Sequence, residues 1–147
     1  MIFLWILLHL PSQLSAYACE PSPESCDYYL CKEEEKRCGD NGYLLDFGYH
    51  LCEVYLKQER QSSLALQDWY PKVRLCLQKA VDKLDPEMSC ATLKTNAFAS
   101  HEDCYLQTGF CSLSWEDKFE VWKLAGAAAF SSESIEVSLK ILAYCSL

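Results

Sequence analysis

Apolar residues recur every three to four positions along most of this chain, and strand-like alternation is hardly visible. After an irregular opening with Pro21 and Pro23, the turn signal Asp40-Asn41-Gly42 precedes a stripe of Leu44, Phe47, Leu51, Val54 and Tyr55 at helical spacing. Gly48 inside that stripe costs about 1 kcal/mol relative to Ala, which predicts a close packing neighbour. A polar link over 58–67 follows. Asp68 is the predicted N-cap of the next helix, with Pro71 in its first turn and Trp69, Val73, Leu77, Ala80 and Leu84 as its apolar stripe. Asp85-Pro86 ends it. A third helix begins near Ser89, carries Leu93, Ala97 and Phe98 inward, and runs through Tyr105 to a stop at Gly109. Ser114 caps a short fourth helix holding Trp115, Phe119 and Trp122. Gly126 and Ser131-Ser132 separate it from a last helix with Ile135, Leu139 and Leu142. The expected fold is all-α, a small bundle of about five helices in one domain, with no repeat or linker to suggest a second.

The first eighteen residues do not fit that bundle. Met1 to Leu10 is almost wholly apolar, Pro11 to Ser15 breaks a helix, and Ala16-Tyr17-Ala18 is a small-x-small cleavage pattern. Residues 1–18 are therefore expected to be a signal peptide, cut after Ala16 or Ala18, although no Lys or Arg precedes the apolar run. That run is shorter than the roughly 20 apolar residues needed to span a bilayer. The expected product, 19–147, is secreted, with no membrane span.

Export changes the meaning of the ten cysteines. Outside the cytosol thiols pair, and a cysteine density of about 8% marks a disulfide scaffold, here with five intrachain bridges. The formal charge of −8 and pI near 4.8 argue against nucleic acid or other polyanions as partners. Helical geometry adds one restriction. If Cys90 and Cys104 share a helix, fourteen steps of about 1.5 Å hold them roughly 20 Å apart, whereas a disulfide tolerates about 4.4–6.8 Å between Cα atoms. They must reach different partners, and the ten cysteines otherwise admit on the order of a thousand pairings.

From Cys26 to Cys145 the gaps are 5, 7, 14, 24, 14, 14, 7 and 34 residues. This ladder resembles the stanniocalcins, a family of secreted, disulfide-rich helical hormones. Local sequence is similar too, in the turn Cys38-Gly-Asp-Asn-Gly-Tyr43, the helix end Cys52-Glu-Val-Tyr-Leu56, the step Val73-Arg-Leu-Cys76, and the pairs Cys104-Tyr105 and Cys111-Ser112. The resemblance implies that Cys19 joins Cys31, Cys26 joins Cys52, Cys38 joins Cys90, Cys76 joins Cys104, and Cys111 joins Cys145. It also implies a hormone-like, non-enzymatic protein that binds an extracellular receptor or secreted protease, through calcium and phosphate homeostasis or inhibition of a secreted metalloproteinase. The family's further cysteine, which links two subunits, has no counterpart after Cys145, so a monomer or non-covalent homodimer is expected.

Candidate chemistry alters this picture little. His101-Glu102-Asp103-Cys104-Tyr105 is similar to the His-x-x-Cys-Tyr of secreted phospholipases A2. Glu102, however, stands where those enzymes need Asp, Ala97 and Phe98 replace a cysteine pair, and Gly39-Asp40-Asn41-Gly42 is a poor calcium loop. His101 is expected on the surface of the third helix. His50 and His101 alone make no zinc site, and Asp40-Asn41-Gly42 lacks the preceding oxygen ligands of an EF-hand. Neither a cofactor nor a metal is expected. The run Glu33-Glu34-Glu35-Lys36-Arg37 reads as a solvated helix face. Trp69, Tyr70, Trp115 and Trp122 are the candidate partner contacts, because aromatic side chains dominate interface hot spots. A venom, defence or extracellular-matrix component on the same scaffold is the alternative, and a phospholipase-like enzyme the remote one.

Overall fold

Four serines set the frame. Ser63, Ser89, Ser114 and Ser131 each accept a hydrogen bond from the backbone N–H three residues on, and a helix starts directly after each. The computed structural model describes residues 18–146; the predicted signal peptide lies almost wholly outside them. The described residues form six α-helices and no strand: α1 Asp27–Lys36, α2 His50–Gln58, α3 Leu64–Asp82, α4 Cys90–Gln107, α5 Trp115–Ala125 and α6 Ser132–Cys145. A π-helical stretch, Tyr43–Tyr49, runs directly into α2, and short 3₁₀ turns lie at Glu59–Gln61, Phe110–Ser112 and Gly126–Phe130.

The start of α3 differs from its prediction. Ser63, not Asp68, is the cap, so α3 begins before Asp68 and Pro71 lies inside it. The earlier start buries Leu66, which is 0% exposed and shares a helix face with Trp69, Tyr70 and Val73. Asp68 instead pairs with Lys72 at 2.6 Å on the exposed side. The charged run 33–37 lies at the end of α1, a helix in addition to the five expected. Arg37 closes it in the left-handed conformation with φ 55°. Gly109 stops α4 with φ 93°.

Two cores hold the helices together. Tyr28 and Tyr29 of α1, Tyr43 and Leu44 of the π-helical stretch, Val81 near the end of α3, and Leu93, Ala97 and Phe98 of α4 make one. Leu66, Trp69, Tyr70 and Val73 of α3, Phe110, Val121 of α5 and Ile141 of α6 make the other. α4 packs on both α3 and α6. Gly48 lies under the ring of Tyr29, where a Cβ would come within 2.6 Å of Cδ1.

Disulfides join Cys19–Cys31, Cys26–Cys52, Cys38–Cys90, Cys76–Cys104 and Cys111–Cys145, and among the described residues no cysteine is free. Cys76–Cys104 staples α3 to α4, and Cys111–Cys145 ties the loop after α4 to the end of α6. The segment before α1 has no backbone ladder of its own, and α3 supplies its partners. Gln78, fully buried, accepts from the Ser22 N–H at 2.6 Å and donates to the Ser25 carbonyl at 2.8 Å. One turn earlier, buried Arg74 donates to the Pro23 carbonyl and to Glu59. Among the described residues no helix is long and apolar enough to cross a membrane.

Candidate functional site: an aromatic surface over a cavity

α5 turns its aromatic residues outward. Trp115, Phe119 and Trp122 are 71%, 59% and 43% exposed, and Phe130 in the following turn is 64% exposed. Phe119, Trp122 and Phe130 form one patch, with the Phe119 and Trp122 rings 5.8 Å apart and Trp122 and Phe130 5.3 Å, and Trp115 stands one turn before Phe119 on the same helix. The opposite face is pinned by polar tethers. Ser63 Oγ donates to Asp117 at 2.7 Å, Ser62 Oγ to Glu120, and the Tyr55 hydroxyl to the Val121 carbonyl at 2.8 Å. Asp117 and Val121 consequently face the protein, and the stripe 115, 119, 122 is left to solvent. In α6 the expected inner stripe is likewise outward: Ile135, Leu139 and Leu142 are exposed, and Ile141 is the buried residue.

The four predicted contact residues therefore divide. Trp115 and Trp122 sit on the surface patch. Trp69 and Tyr70 are 2% and 1% exposed and belong to the core, because α3 starts at Leu64 and turns both toward Leu66 and Val73; they offer no contact surface. The Trp69 Nε1 and the Tyr70 hydroxyl are buried without a hydrogen-bond partner among the described residues. Phe119 and Phe130 were not singled out by sequence, although Phe119 was in the predicted stripe.

Behind the patch lies a cavity of about 510 Å³. Trp115, Phe119 and Trp122 line it together with Val137, Ser138 and Ile141 of α6, Ala128 and Ala129, and residues of both cores. The polar side chains that reach it are few: Tyr29, Tyr43, Tyr55, Tyr105 and His101 are the chief ones. Burial pushes the Tyr105 hydroxyl up to about 12 and raises those of Tyr29, Tyr43 and Tyr55 as well. Tyr105 adds a smaller upward push to each of those three, since its ionised form would repel theirs.

His101 is not the surface histidine expected. Half-buried on α4, it lines the cavity, stacks on Phe98 and Tyr105, and places Nδ1 2.8 Å from the Ala97 carbonyl. Desolvation lowers its pKa and keeps it neutral. His50 is exposed on α2, and Asp40-Asn41-Gly42 forms the turn before the π-helical stretch, with Gly42 N–H donating to Gly39 at 2.8 Å. Cys19, Cys31 and Glu35 come close enough to suggest a metal site, but both sulfurs are in a disulfide and provide no thiolate.

No protein-family model matches this sequence, and neither a curated protein nor a solved structure matches it.

Proposed function

We propose that this is a secreted, non-catalytic binding protein of the kind its resemblance to stanniocalcins implies, and that it acts on a secreted metalloproteinase. The observation that carries this reading is the exposed aromatic patch of Trp115, Phe119, Trp122 and Phe130 on a frame stapled by five disulfides. Disulfides persist outside the cytosol, which favours export. Contiguous exposed aromatics are what interface hot spots are made of, since their few-rotamer side chains lose little entropy when covered. His101 speaks against catalysis: its Nδ1 is engaged with a backbone carbonyl, and aromatic rings stack against it.

The test is inhibition. The mature protein, purified oxidised from a secreting host, is titrated into a growth-factor-releasing metalloproteinase cleaving its protein substrate. Wild type slows cleavage, and Trp115→Ala or Trp122→Ala lowers potency at least about tenfold, equivalent to about 1.4 kcal/mol. Equal potency of wild type and both variants removes the patch from the reading, and no inhibition removes the reading itself. Altered calcium or phosphate transport across an epithelium, without inhibition, would move the contact to a receptor. Calcium-dependent phospholipid hydrolysis, lost in His101→Ala, would replace it with an enzyme.

A further inference from the structure

The cavity shares Trp115, Phe119 and Trp122 with the outward patch and extends inward from them to both cores. At about 510 Å³ it lies in the range of roughly 300–1,000 Å³ that small-molecule sites occupy. Its wall is mostly apolar, built from side chains of the π-helical stretch and of α2 to α6. The exceptions include three phenols. Tyr43 and Tyr105 flank the stacked Phe98–His101 pair, with ring centroids 5.6 Å from Phe98 and 5.9 Å from His101 respectively, and Tyr29 lies against Gly48 of the π-helical stretch. Burial keeps all three neutral, and each hydroxyl can donate or accept.

We infer that this cavity binds one uncharged apolar small molecule bearing a hydroxyl or carbonyl, of the sterol or terpenoid-alcohol kind, with its polar end against Tyr29, Tyr43 and Tyr105. The apolar wall supplies affinity, and the hydroxyls fix orientation. Charge selects against a carboxylate. Of the two cations that reach the cavity, Arg74 is paired with Glu59 and donates to the Pro23 carbonyl, while Lys118 donates to the Cys111 carbonyl at 2.9 Å and lies over the Phe110 and Trp115 rings rather than over a phenol. His101 is held neutral by burial. The basic residues of the lining beside the phenols are the neutral His101 and the already paired Arg74, so a carboxylate placed there would be desolvated without compensation, whereas a hydroxyl would gain partners. The proposal does not depend on the protein-partner reading.

The experiment uses the oxidised full mature chain and the neutral fluorophore N-phenyl-1-naphthylamine, with cholesterol, farnesol and palmitate as competitors. The expected result is saturable one-to-one binding, displaced by farnesol or cholesterol at least about tenfold better than by palmitate. Ser138→Phe fills the chamber from α6 and abolishes probe binding, with the circular dichroism spectrum of wild type. Should that variant misfold, Ala128→Phe fills the same chamber from a different element. Tyr105→Phe removes one hydroxyl without changing shape, and weakens farnesol or cholesterol by several-fold to about tenfold. Three results overturn the inference: no saturable binding, fluorophore binding that survives both filled variants and therefore sits on the outer aromatics, or a preference for palmitate.

Discussion

Gln78→Leu removes the clamp between α3 and the irregular segment that precedes α1. The side chain is 0% exposed, accepts from the Ser22 N–H at 2.6 Å and donates to the Ser25 carbonyl at 2.8 Å. Leucine keeps the volume and loses both bonds. Stranding a buried polar backbone group costs about 1–3 kcal/mol, and because Ser22 and Ser25 are half-buried each takes about 1.5 kcal/mol, about 3 kcal/mol together. Relief of the amide's own desolvation returns about 1 kcal/mol, leaving a net loss of about 2 kcal/mol. For a domain of this size that is a fall in Tm of about 8 °C. Cys19–Cys31 and Cys26–Cys52 keep the segment attached, so the loss also shows locally. The assay is thermal unfolding under oxidising conditions, joined to amide hydrogen exchange at Ser22. Protection of Ser22 drops in the variant while that of α4 falls only by the global amount. A variant within about 0.5 kcal/mol of wild type, with Ser22 still protected, would falsify the clamp.

Replacing Cys38 and Cys90 together by Ser opens a loop of sequence separation 52, and denaturant titration should show a loss of about 4 kcal/mol. Gly48→Ala should destabilise by about 1–3 kcal/mol, although alanine is the better helix former, because its Cβ would sit 2.6 Å from Tyr29 Cδ1; a neutral or stabilising result in the same titration refutes the close packing. Tyr105 is raised to about 12 from an ordinary value near 10, with Tyr29, Tyr43 and Tyr55 also raised, so the folded state favours the neutral phenols. Their contribution to stability is complete below about pH 10 and is lost as pH rises through 12, which absorbance at 295 nm should register as late, unfolding-linked ionisation. Hydrogen exchange should find α5 opening at lower free energy than α3 or α4; equal protection in the three helices contradicts the tethering described for it.

The helix caps show what local sequence can reveal. Ser89 and Ser114 stand directly before apolar periodic runs, and both cap where the pattern places them. Ser63 escaped because 58–67 is polar on the page, while Asp68-Trp69-Tyr70-Pro71 imitates a helix start. The missing signal was Leu66, three and four residues before Trp69 and Tyr70. In α1 the buried Tyr28 and Tyr29 are adjacent, so no stripe forms and only the charged run was legible. α5 misled for a different reason. The positions 115, 119 and 122 are more apolar than 117, 121 and 124, yet the second set faces inward, because Ser63 and Tyr55 hold Asp117 and Val121 from distant parts of the chain. Hydrophobicity decides a helix's orientation only when no buried polar partner competes for it. The cavity had no local signal at all, since all six helices and both cores contribute its wall.

That same competition sets where the molecule can move. Five of the six helices carry a cysteine of a disulfide, and α5 carries none. Its place depends on Ser63 to Asp117, Ser62 to Glu120, Tyr55 to Val121 and Lys118 to Cys111, together with the burial of Val121. Hydrogen bonds of that kind contribute about 1 kcal/mol each and can break singly, whereas a disulfide cannot open without redox chemistry. α5 is also the helix that bears three of the patch's four aromatics and walls the cavity through Trp115, Phe119, Val121 and Trp122. A shift of α5 therefore changes the mouth of the cavity and the aromatic surface in one motion. Were the proposed cavity ligand and the proposed protein partner each to favour one position of α5, their binding would be thermodynamically coupled, and by linkage the coupling would be equal in both directions.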